Sequence, residues 1–225
     1  MADILFVATK KCGVCDGDVN VTKVRSRLSM VKQDSDFCTY YKEVNPNYYV
    51  IFVCPHCGYA AQDTYFEETP TALNSIKDFL AGRTVNVNFS GQRSWEQAVA
   101  TFKLAIFFAE MSSTQPSRLA GLYLKLAWLL REEGCPEELI ALGKALEYYE
   151  QSFLREKMPI GNMTELTVEY LCGELLRRTG KLPEALTYLG KVVANPQAKN
   201  EKRVFDMARE AWREAREAQK LASEA

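Results

Sequence analysis

Histidine is almost missing from this sequence: 225 residues contain one, His56. A Ser/His/Asp or Cys/His catalytic set would have to include it, and its place between two cysteines argues against that role. A non-enzymatic protein is therefore expected. Long apolar runs are also missing. None approaches the ~20 residues that cross a bilayer, so no membrane segment is expected. Charge of one sign is missing too, because a formal net charge of −1 gives no whole-molecule field toward DNA, RNA or an anionic membrane. The opening MADILFVATKKC has no basic segment before its short apolar run and no cleavage site, so it reads as a first strand rather than a leader. The expectation is a cytoplasmic protein with reduced thiols. Its seven cysteines, an odd number, fit poorly with a fully paired secreted framework.

What remains is ordinary globular composition, 47% hydrophobic and 25% charged, in a chain long enough for one large or two modest domains. The hydrophobic period divides it. Residues 1 to about 68 read as strand and turn. DVNVTKVRSRLSMVKQ alternates as a long strand or hairpin arm, and NYYVIFV (47–53) is a strongly β-prone run after the turn Asn45-Pro46-Asn47. A short amphipathic helix, TALNSIKDFLAG, follows. Residues 83–93 are the best linker candidate, which places a β region at 1–82 and a helical domain at 94–225.

From Ser94 the period is helical. Ser94 and Gln97 form a capping box that opens the first of six helices in antiparallel succession. Within them Tyr123, Leu126, Ala127 and Leu130 align with Glu169, Cys172, Gly173 and Leu176, each set followed by a glycine (Gly134, Gly180). This resembles the tetratricopeptide pattern, in which small residues let paired helices approach closely. Two departures stand out. Leu139 occupies a position where a small residue is expected, and Ala127 and Gly173 lie 46 residues apart rather than ~34. The closing helix places Val204, Ala208, Ala211, Ala215 and Ala218 on one side, as a cap on the last repeat.

Chemistry concentrates in two CxxC pairs, Cys12-Gly13-Val14-Cys15 and Cys54-Pro55-His56-Cys57. Four thiolates from two tight knuckles satisfy one tetrahedral Zn²⁺, with Gly13 and Gly58 suited to the turns. The 38 residues between the halves exceed the usual ~15–20, and an extended hairpin accounts for them. The rival is a thiol oxidant using Cys54 and Cys57. That chemistry places its CxxC at a helix N-terminus, whereas Gly58 breaks any such helix and the upstream CxxC is left unexplained. Cys172 lies on an apolar helix face and reads as core. Whether Cys38 or His56 contributes to the metal site stays open.

Two binding surfaces are candidates. The first helix of each repeat pair would line a concave face, leaving Lys125, Glu169, Arg177 and Arg178 to meet a protein or peptide partner with acidic or carboxylate groups. Alternatively Lys23, Arg25 and Arg27, alternating on one strand face, would join Tyr40, Tyr41, Tyr48 and Tyr49 to hold nucleic acid.

The CxxC pairs, the DSDFC stretch (34–38), NPNYYVIFVCPHCGYAA (45–61) and the helical tail together resemble the bacterial family known as domain of unknown function 2225. The resemblance spans the whole chain and implies a zinc-ribbon-like N-terminus joined to tetratricopeptide-like helices. It implies no activity. The expected fold is α+β: a small zinc-ribbon-like β region, then an all-α helical repeat domain. The expected function is a zinc-binding, helical-repeat protein with one structural ion that mediates protein–protein interaction.

Overall fold

The computed structural model describes residues 4–83, 85 and 88–224. Among them, small antiparallel strand pairs occupy the N-terminal part and seven α-helices follow, an α+β arrangement. The strands are β1 (Leu5–Lys11), β2 (Asp18–Val24), β3 (Met30–Gln33), β4 (Thr39–Tyr41), β5 (Ile51–Val53) and β6 (Ala60–Gln62). The helices are α1 (Leu73–Leu80), α2 (Trp95–Met111), α3 (Pro116–Glu132), α4 (Glu137–Arg155), α5 (Glu165–Arg178), α6 (Leu182–Ala194) and α7 (Lys202–Glu224). Strand pairs form between sequence neighbours: β1 with β2, β3 with β4, β5 with β6. The long strand or hairpin arm expected at 18–33 is thus two strands with a break at 25–29.

The expected β-run at 47–53 also begins differently, with a 3-10 turn at Pro46–Tyr49 before β5 starts. Asn45 explains this. Its side chain accepts from the Asn47 amide (2.9 Å), while Pro46 fixes the backbone angle of the first turn and donates nothing. The turn aims Tyr48 at Glu132, whose carboxylate accepts from the tyrosine hydroxyl at 2.8 Å.

The chain divides into two compact units. The first comprises Met1–Lys32, Thr39–Thr114 and Trp128–Cys135; the second comprises Gln33–Cys38, Gln115–Ala127 and Pro136–Ala225. The division expected at 83–93 is therefore not where the units part, and α2 belongs to the first unit. Its composition explains why. The sequence WEQAVATFKLAIFFAEM is apolar on most sides, and α2 buries Ala98, Val99, Phe102, Ala105, Ile106 and Phe108 while packing on β5, β6 and the 3-10 turn. The Ser94 capping box forms as expected.

Arg93 ties the end of the expected linker to the same unit, while residues 84, 86 and 87 of that stretch lie outside the described residues. Its guanidinium is buried and donates to the carbonyls of Tyr48 (2.8 Å), Ile51 (2.8 Å) and Phe89 (2.9 Å). Burial lowers its pKa to about 10, which still leaves it charged at neutral pH.

In the second unit α4, α5, α6 and α7 pack each on the next. Gly173 carries the closest approach. A Cβ there would stand 2.8 Å from Leu189 Cγ and 3.2 Å from the Leu189 amide nitrogen, so only glycine fits without displacement. The alanine stripe of α7 is buried at Ala208, Ala211 and Ala215, against a cluster of Leu166, Tyr170, Leu189, Val192 and Ala198. The stripe ends there, and Ala218 is exposed.

Candidate metal centre

Each CxxC forms the loop of its own hairpin. β1 and β2 pair from Leu5↔Val24 to Lys11↔Asp18, leaving 12–17 as a six-residue loop. β5 and β6 pair from Ile51↔Gln62 to Val53↔Ala60, leaving 54–59 as a second. The two loops share one hydrogen-bond pattern. The amide of the first cysteine donates to the carbonyl five residues on (Cys12 to Gly17, 3.0 Å; Cys54 to Tyr59, 2.8 Å). The amide four residues on donates back to that cysteine's carbonyl (Asp16 to Cys12 and Gly58 to Cys54, both 2.9 Å).

That geometry needs a left-handed residue after the second cysteine, and Gly58 (φ +83°) and Asp16 (φ +57°) supply it. Aspartate is among the few side chains that enter this region readily. Gly13 therefore acts differently from the role expected of it. Its amide donates to the Phe66 carbonyl (3.0 Å), and a Cβ would stand 2.1 Å from the Glu68 carbonyl oxygen. Gly13 allows a backbone to cross the knuckle, while Asp16 allows the turn.

The two loops bring Cys12, Cys15, Cys54 and Cys57 together, with all four sulfurs within 4.8 Å of one another. Cys12 Sγ lies 3.7 Å from Cys57 Sγ, and Cys15 Sγ 3.6 Å from Cys54 Sγ. Four sulfurs at ~2.3 Å from a tetrahedral centre stand ~3.8 Å apart, so these residues fit a metal ion. Their closeness also spreads their acidities apart. Cys54, beside the thiols of Cys12 and Cys57, is held far below the usual thiol range. The same closeness pushes Cys12 up to about 12 and raises Cys57 further. A cation removes this competition, because each sulfur then shares its charge with the metal instead of with a proton.

Apolar packing supports the centre. Phe66, fully buried, sets its ring edge-on to Phe52 (5.7 Å between centroids) and stacks on Tyr59 (6.1 Å), which in turn meets Phe108 of α2 (5.3 Å). Burial raises the Tyr59 hydroxyl to about 12. His56 is exposed and stands outside the four-sulfur group. Its Nε2 donates to the Asp18 carbonyl (3.0 Å), tying the second loop to the start of β2. Gly17 makes room for that ring, since a Cβ there would lie 2.8 Å from His56 Cδ2. Cys38 is buried in the second unit, its amide directed at Asp36 Oδ1 (3.4 Å), and it too is outside the cluster. Cys172 is fully buried in α5, and burial raises its thiol well above the usual range.

The residues expected to meet a partner are placed otherwise. Arg177 donates to Glu174 through Nε and Nη2 (both 2.8 Å) and pairs with Glu214 (3.2 Å). Arg178 donates to Glu174 Oε1 (2.7 Å) and to Ser35 Oγ (3.0 Å), with Asp36 at 3.6 Å. Glu174 and Asp36 are fully buried. The arginines are thus committed to two interior carboxylates, which corrects the expectation that they stand free. A glutamate within one turn of both was the signal available in the sequence. Lys125 is half-buried. Glu169 is half-buried too, and desolvation raises its carboxyl despite Lys191 nearby.

Of the basic strand residues, Lys23 lies 3.9 Å from Asp63 and Arg25 stands over the Phe6 ring (5.3 Å). Arg25 and Arg27 both lie in the break after β2, where Arg27 is exposed, so the three do not share one strand face as expected. Tyr48 is occupied by Glu132, and Tyr49 is buried with its hydroxyl accepting from the Arg93 amide (3.3 Å).

Among the described residues no helix is long and apolar enough to cross a membrane. No curated protein and no solved structure matches the chain. A family model does, over residues 5–215, and its span takes in both cysteine loops, the 34–38 turn and the helices down to the buried stripe of α7. The chain belongs to the bacterial family described as uncharacterized protein conserved in bacteria, DUF2225.

Proposed function

We propose that the protein is a non-enzymatic zinc protein of the bacterial cytoplasm whose repeat-like helices hold another protein or a peptide. The observation that carries this reading is the closure of the four-sulfur site. Two matched loops supply all four tetrahedral positions, so a metal held there has no open position for substrate or water and acts as a cross-link. Binding energy at such a site is folding energy for the small hairpins that form it. The partner-binding half rests on the close helix pair at Gly173 and Leu189, the type of contact that small residues make in tetratricopeptide arrays. Nucleic acid is the weaker reading, because Tyr48 and Tyr49 are spent on Glu132 and Arg93.

Elemental analysis with thiol titration tests the metal: about one Zn²⁺ per chain is expected. A red, iron-containing protein would overturn zinc, since tetrahedral sulfur sites accept either metal. Metal-free protein with a readily exchanged Cys54–Cys57 disulfide would overturn the cross-link altogether. Retention on nucleic acid that is lost in moderate salt would reverse the choice of partner.

A further inference from the structure

The four cysteines are unequally protected. Cys12 and Cys54, the first of each pair, are fully buried. Cys15 is exposed and Cys57 half-exposed. Both line a cleft of about 400 Å³, walled by Val14, Asp16, Lys77, Leu80 and Ala81. The cleft lies where the first cysteine loop and Cys57 face the end of α1.

We propose that this cleft is a covalent modification site, at which a small neutral oxidant of the peroxide class reacts with Cys15 and then Cys57 and so releases the metal. The inference rests on the metal reading above. A coordinated cysteine is a thiolate, the nucleophilic form, and four thiolates on one dication carry a net charge of −2. Asp16 adds to that charge and Lys77 offsets only part of it, so the cleft repels anionic reagents and admits neutral ones.

In the first step the Cys15 sulfur attacks one peroxide oxygen. An S–O bond forms, the O–O bond breaks, and the departing hydroxide takes a proton to become water. The product is a sulfenic acid, a poorer metal ligand. In the second step the Cys57 thiolate attacks that sulfur, the S–S bond forms, and hydroxide leaves and is protonated. Two thiolates, one peroxide and two protons thus give one disulfide and two waters. The two sulfurs are already within 4.8 Å of each other, so a short movement of the two loops brings them to bonding distance. A metal left with Cys12 and Cys54 alone has lost half its ligands and dissociates.

The test uses the intact zinc-loaded protein and hydrogen peroxide, with metal release followed by a chromogenic chelator and the disulfide mapped by mass spectrometry. Expected are zinc release in step with peroxide consumed, a Cys15–Cys57 disulfide, and recovery when thiol reductant and zinc are returned. Ala81→Trp, which fills the cleft from an exposed position, should slow release severalfold with zinc content unchanged. Disulfides within a loop, Cys12–Cys15 or Cys54–Cys57, would overturn the proposal. So would zinc retention under oxidant, or an Ala81→Trp protein that releases zinc at the parent rate. Protein that carries no metal before oxidation would instead remove the metal reading on which the proposal stands.

Discussion

Replacing Glu174 with glutamine is the sharpest probe of the second unit. The carboxylate is fully buried and accepts from Arg177 Nε and Nη2 (2.8 Å each), Arg178 Nε (2.7 Å) and Ser35 Oγ (2.6 Å). Glutamine keeps the shape, removes the charge, and turns an amide NH₂ toward donors that need an acceptor. Removing one partner of a buried ion pair costs ~3–5 kcal/mol. The two arginine side chains are 23% and 21% exposed, so water offsets part of that loss and about 2–4 kcal/mol is expected. At ~2–4 °C per kcal/mol for a chain of this size, Tm should fall by roughly 5–15 °C. Thermal and urea unfolding of the zinc-loaded protein, followed by circular dichroism, measures it. Charge reversal at Arg177 or Arg178 should also lower Tm, where a partner-binding arginine would leave it unchanged. A Glu174→Gln protein that melts within about a degree of the parent would refute the reasoning.

Two glycines should respond to alanine with opposite signs. Gly173→Ala gains ~1 kcal/mol of helix propensity but loses ~1–3 kcal/mol to the clash with Leu189, so it should destabilise; Gly143→Ala in α4, with nothing within 4 Å of a new Cβ, should stabilise by roughly 0.5–1 kcal/mol. Urea titrations of the two variants check the contrast. Gly13→Ala should weaken zinc retention against a competing chelator, because its Cβ would strike the Glu68 backbone. A fragment beginning at Gln92 should fail to fold cooperatively by circular dichroism. It lacks the strands beneath α2 and the 33–38 turn that supplies Ser35 and Asp36.

Local signals in the sequence were reliable where the physics is local. The Ser94 capping box, the tight turn of each CxxC and most of the α7 alanine stripe each rest on interactions within a few residues or one helix face. The misreadings share the opposite character. Arg93 looked like linker because nothing nearby in sequence reveals that Tyr48, Ile51 and Phe89 will offer it carbonyls. Arg178 looked free in part because Asp36 and Ser35, two of its partners, lie more than a hundred residues away, although Glu174 stood within one turn. The six-residue loop pattern was half legible. Gly58 announced its left-handed turn, but the matching role expected of Gly13 belongs to Asp16.

Each unit joins segments distant in sequence by polar chemistry rather than by apolar contact alone. In the first, Cys15 meets Cys54 across 39 residues; in the second, Ser35 meets Glu174 across 139. Loop-closure entropy grows only logarithmically, so the longer closure costs only about 1 kcal/mol more than the shorter. Holding the ends together is therefore the smaller problem, and selecting the right segment is the larger. Apolar burial selects poorly, because many turns could cover Tyr170 and Leu189. The buried charges select well. A turn without a serine hydroxyl for Glu174 and Arg178, or without a carboxylate where Asp36 lies, would leave interior ions unmatched at several kcal/mol each. That requirement gives a physical reason for Ser35 and Asp36 in the 34–38 stretch, as the close approach of four sulfurs does for the four cysteines.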